Sequence, residues 1–70
     1  MASIEYKEDI LGGKLVFKGT RVPVKNLFDY LLDGETIEDF LIDFPTVSHE
    51  QVKEVLNKVE DSLQKELLVA

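Results

Sequence analysis

Apolar residues fall in three helical rows along the last two-thirds of the chain and in short alternations along the first third. Val24, Leu27, Phe28, Leu31 and Leu32 stand at i, i+3, i+4, i+7 and i+8, a stripe down one side of a helix. Gly34 follows where a left-handed C-terminal residue belongs. Ile37, Phe40, Leu41 and Phe44 repeat the spacing. Thr36 with Asp39 makes a capping-box start, and Pro45 enforces the stop by driving Phe44 out of the α region. The third row is Val52, Val55, Leu56, Val59 and Leu63, with Leu67 next in line. Ser48 and Gln51 can cap it reciprocally, flanked by Val47 and Val52 as a hydrophobic staple. Helices are expected near residues 23–33, 36–44 and 48–66. Their links are short enough that consecutive helices must pack on one another.

Ahead of the helices, Leu15-Val16-Phe17 reads as a short strand following the Gly12-Gly13 turn. It is expected to return through Lys18-Gly19 into Thr20-Arg21-Val22, with Ile4-Glu5-Tyr6 as an edge strand. Gly19 can supply a positive φ, and Pro23 has its φ pre-set for a first helical position. The expected fold class is α+β and mostly α: an N-terminal β-hairpin followed by a three-helix, helix-turn-helix-like bundle. Residues 1–70 form one domain, with residues 1–23 as the hairpin arm and 24–70 as the bundle.

Size and composition sharpen this picture. Seventy residues lie near the lower limit for a self-sufficient core, and with no cysteine neither a disulfide nor a thiolate metal site can help. The remaining remedies are tight helix packing and self-association. A third helix over 48–66 would be about 28 Å long against about 14 Å for the second, so apolar residues near its end, Leu63 and Leu67, outrun what the short helices cover. A homodimer is therefore expected, with Leu63 and Leu67 as partner contacts. The acidic start Glu5, Glu8 and Asp9 is unlike a signal peptide, and no apolar run suits a membrane. A cytoplasmic protein without membrane contact is the expectation.

Charge is divided along the chain. Between Gly12 and Leu27 stand Lys14, Lys18, Arg21 and Lys25 and no acid, whereas Asp29 onward carries eleven acids against Lys53, Lys58 and Lys65. The overall balance is −6. Such a protein meets nucleic acid only if its cations gather on one face. A helix-turn-helix reading presents the third helix, with Ser48, His49, Gln51, Lys53, Asn57 and Lys58 as candidate DNA contacts beside Lys14, Lys18 and Lys25. Glu50 and Glu54 share that helix, and the pattern suits a plain three-helix core equally well. Catalysis finds little to work with. His49 is the single histidine, there is no histidine pair or glycine-rich phosphate loop, and the i, i+4 acid pairs Glu35/Asp39 and Asp39/Asp43 are ordinary for a solvated face. Neither an enzyme nor a cofactor or metal is expected.

With these residues in place, the chain resembles the domain of unknown function 433 family. The resemblance rests on Ile10-Leu11-Gly12-Gly13-Lys14, Val16-Phe17-Lys18-Gly19-Thr20-Arg21-Val22-Pro23-Val24, Leu31-Leu32-Asp33-Gly34, Ile37-Glu38-Asp39-Phe40-Leu41, Asp43-Phe44-Pro45 and Val47-Ser48-His49-Glu50-Gln51-Val52. It implies a small helix-turn-helix-like domain behind a β-hairpin. It also implies a prokaryotic antitoxin-like role: binding and silencing a PIN-like ribonuclease toxin, and repressing its own operon through operator DNA. The alternative is a small homodimeric protein-interaction domain with no nucleic-acid role. Gly19, Thr20, Arg21 and Pro23, with Asp43 and Pro45, carry the family signature. A mainly structural duty is expected of them, with Arg21 paired to Asp43 or another helix carboxylate.

Overall fold

A computed structural model of the chain describes residues 2–10 and 12–68; Leu11 of the quoted motif and Val69 and Ala70 of the tail lie outside them. The alternation in Ile4-Glu5-Tyr6-Lys7 makes strand β1 (Ile4–Lys7), which pairs antiparallel with β2 (Lys14–Phe17). The register sets Ile4 opposite Phe17 and Tyr6 opposite Leu15. Helices α1 (Val24–Leu32), α2 (Ile37–Asp43) and α3 (His49–Leu68) follow. The architecture is the expected α+β hairpin-plus-three-helix arrangement, mostly helical.

The hairpin differs from expectation in which strands pair. Thr20-Arg21-Val22 forms no strand along β2. It contributes one hydrogen bond, Phe17 N–H to the Val22 carbonyl at 3.0 Å, and an isolated bridge between Val16 and Pro23. The reason is local. The Thr20 N–H and hydroxyl both turn back onto the Phe17 carbonyl, at 3.0 and 2.7 Å, and Pro23 has no N–H to extend a ladder. Pro23 stands just outside α1, with φ −63° and ψ 138°, rather than as its first helical residue.

The helix ends obey their side chains. Gly34, at φ 86°, lets α1 close in a Schellman turn: Gly34 N–H reaches the Leu31 carbonyl at 3.2 Å and Glu35 N–H the Tyr30 carbonyl at 2.9 Å. Thr36 and Asp39 form the full capping box of α2, each side chain accepting the other's backbone N–H at 3.0 Å. Ser48 and Gln51 repeat the device at α3.

The core joins hairpin to helices. Phe17, Leu27, Phe40, Val47, Val52 and Val55 form one buried cluster, so β2, all three helices and the α2–α3 link contribute to it. Phe40 is its hub, with ring centroids 5.8 Å from Phe17, 5.5 Å from Tyr30 and 5.0 Å from Phe44. Aromatic contacts at these separations favour the tilted and edge-on geometries seen here. Both staple valines, Val47 and Val52, are buried.

Candidate functional site

The signature junction divides into residues that hold the fold and one that does not. Gly19 has φ 79°, which a residue with a Cβ adopts only under strain, and its N–H donates to Glu5 Oε1 at 3.1 Å. Thr20 is buried, its hydroxyl donating to the Phe17 carbonyl and accepting from Val22 N–H at 3.0 Å. Arg21 points outward. It pairs with Asp9 at 3.0 Å, both side chains about two-thirds exposed at 66% and 67%. The guanidinium holds the Asp9 carboxyl below its usual range.

The expected pairing of Arg21 with Asp43 or another helix carboxylate therefore does not form. Its partner lies in the turn after β1, and Asp43 instead accepts the Tyr30 hydroxyl at 2.6 Å. That bond raises the Tyr30 hydroxyl above its ordinary value. Pro45 is exposed in the link out of α2.

Two cations of the basic segment are paired within the chain. Arg21 is neutralised by Asp9, and Lys25 holds Asp29 across one helical turn at 2.9 Å. Lys14 and Lys18 have no ion-pair partner among the described residues. On α3, Lys53, Asn57 and Lys58 are exposed. Five residues at about 100° each set Lys58 roughly 140° around the helix from Lys53. Ser48 and Gln51 are engaged at both ends: beyond their mutual cap, Gln51 Nε2 donates to the Lys18 carbonyl at 3.0 Å and ties α3 to the hairpin turn. That tether left no mark in the spacing of the sequence, because its acceptor is a backbone carbonyl 33 residues away.

An acidic ridge runs over the α1–α2 turn and α2. Asp39 lies below its usual value because the Thr36 N–H and hydroxyl stabilise its carboxylate. Glu35 is pushed up, first by a side-chain hydrogen bond with Asp39 and then by the charges of Asp39, Asp43 and Asp33.

The most unusual surface is on α3. Val52 and Val55 are buried and Leu56 half-buried, but every residue from Asn57 to Leu67 is exposed. Val59, Leu63 and Leu67 continue the core row at i, i+4 and i+8 with exposures of 37%, 51% and 76%. The helix runs on past the domain body with its apolar side uncovered. Among the described residues there is no pocket, no group of three or more potential metal ligands, and no helix long and apolar enough to cross a membrane.

Compared with known proteins, the chain matches the family described as protein of unknown function (DUF433) over residues 4–57. No curated protein and no solved structure matches it.

Proposed function

The chain belongs to the DUF433 family, and from that premise we propose that it is an antitoxin-like regulatory protein acting through protein contacts, its target a PIN-like ribonuclease. One observation carries the reading: α3 projects beyond the core and leaves Val59, Leu63 and Leu67 exposed in a row. An uncovered apolar row on a regular helix is the form an amphipathic partner-binding element takes. The acidic ridge adds complementarity, because a ribonuclease binds a polyanion and carries cations around its cleft. Operator DNA is a secondary partner in this reading, met by Lys14, Lys18, Lys53 and Lys58.

Co-expression with the product of an adjacent nuclease gene tests it. A stable complex that abolishes ribonuclease activity is the expected result; two independently purifying proteins would refute the reading. The second reading, a homodimeric interaction domain that never touches nucleic acid, is favoured by the neutralisation of Arg21 and Lys25 within the chain. Titration with operator DNA at low salt separates the two.

A further inference from the structure

We infer that the free edge of β1 pairs antiparallel with β1 of a second copy, with Tyr6 opposite Tyr6 on the two-fold axis. The inference rests on the reading above, which gives the α3 row to a ribonuclease; self-association then falls to the hairpin rather than to Leu63 and Leu67.

The ladder shows which backbone groups await a partner. Val16 lies opposite Glu5 and Phe17 opposite Ile4. The Lys18 N–H turns toward the N-terminal strand, donating to the Ser3 carbonyl at 2.8 Å, and the Phe17 N–H turns away from it, to the Val22 carbonyl. Antiparallel pairs alternate between bonded and non-bonded. Glu5 and Lys7 therefore bond to β2, while the N–H and carbonyl groups of Ile4 and Tyr6 point to the outer edge of β1. The sheet ends there. It has two strands, and among the described residues no turn or loop hydrogen bond reaches the Ile4 or Tyr6 backbone.

The Tyr6 ring leaves this edge clear. It leans across the hairpin over Gly13, where a Cβ would strike its hydroxyl. Tyr6 and Leu15 lie opposite each other and are 59% and 52% exposed. Pairing at the edge joins the two cross-strand pairs into one apolar row across the enlarged sheet. A two-stranded ribbon is marginal, and added strands stabilise it.

Charge selects the register. Glu5 and Lys7 flank Tyr6 on the opposite face of the strand, with Lys7 opposite Lys14 on β2 and 3.7 Å from Glu5 Oε1. A two-fold centred on Glu5 would set carboxylate against carboxylate. One centred on Lys7 would set ammonium against ammonium, and one centred on Ile4 would leave the rest of β1 facing no strand. Centred on Tyr6, the axis sets each Glu5 against Lys7 of the second copy. It also gives Lys7 an acid on the side away from Lys14. Opposite charges directly across an antiparallel pair stabilise it, and like charges destabilise it. Tyr6 bonds outward, so the pair on the axis exchanges both of its hydrogen bonds.

Charge exchange tests the register. Glu5→Lys and Lys7→Glu each set like charges across the axis, so each alone should associate about tenfold more weakly than wild type in sedimentation equilibrium. An equimolar mixture restores both cross-strand pairs and should regain wild-type association, with helical circular dichroism retained throughout. A mixture no tighter than either variant alone would overturn the inference, as would a wild-type monomer at hundreds of micromolar. Amide exchange of the unaltered chain is the second arm and needs no variant to fold. On concentration the Tyr6 N–H should become protected, whereas the Glu5 N–H, bonded within the hairpin, should keep its protection on dilution. A Tyr6 N–H that exchanges at the same rate in dilute and concentrated samples would overturn the inference outright. No nuclease enters these measurements, so a dimer that binds no ribonuclease refutes only the functional reading, and a ribonuclease gripping a chain that never pairs refutes only this one.

Discussion

Thr20 and Arg21 are neighbours with opposite duties. Thr20 is buried and its hydroxyl serves two backbone groups, so Thr20→Val leaves the Val22 N–H without its acceptor and takes one of two bonds from the Phe17 carbonyl, which keeps the Thr20 N–H. A loss of about 1–3 kcal/mol in urea unfolding is expected. The Arg21–Asp9 pair lies in solvent, where ion pairs contribute little, so Arg21→Ala is expected to unfold almost with wild type. An effect of Arg21→Ala on partner binding alone would make it a contact residue. The turn geometry of Gly19-Thr20 was legible from residue types. The partner of Arg21 was not, because one acid among fourteen is chosen by the tertiary path of the β1–β2 turn.

Glu35 carries a pH signature of its own. Its folded value is raised, so its protonated form is favoured in the fold; that contribution is complete below the unfolded value of 4.5 and is lost as pH rises through the folded value. At neutral pH the charged side chain faces Asp39, Asp43 and Asp33. Glu35→Gln is therefore expected to raise the melting temperature at pH 7 and to lose that advantage below about pH 4. Asp39 works in the opposite sense. Its lowered value stabilises the fold above 3.8 and ceases to do so as pH falls through the folded value.

At the scale of elements, caps and staples were legible because their signal lies within five residues. Thr36→Ala and Ser48→Ala should each cost about 1 kcal/mol in chemical unfolding. Gln51 separates capping from tethering. Gln51→Glu keeps an acceptor for the Ser48 N–H but cannot donate to the Lys18 carbonyl, so it should unfold earlier than wild type with α3 capping intact. The strand pairing was less legible. Thr20-Arg21-Val22 has β-branched residues suited to a strand, yet the Thr20 back-bond and the missing Pro23 N–H end the ladder after one bond and one bridge. Phe40 binds the elements together, and Phe40→Ala should cost about 3–5 kcal/mol, enough to unfold a small domain.

For the whole molecule, the balance of −6 and the neutralised Arg21 and Lys25 leave few cations for nucleic acid. Any operator affinity should be weak and fall steeply with salt, with Lys53→Ala/Lys58→Ala flattening the slope by about two if both touch phosphate. The overlong third helix was visible in the sequence as an apolar row continuing past its short neighbours. What covers it was not, since on the proposed reading the covering surface belongs to another molecule. Every residue of the arm from Asn57 to Leu67 is exposed, and short unsupported helices are marginal in water. Amide hydrogen exchange with and without the product of the adjacent nuclease gene tests this most directly. In the complex, residues 59–67 should be protected nearly as well as Val52 and Val55; in the free chain, their protection should collapse while the core holds. Protection of residues 59–67 that is the same in both samples would contradict the account.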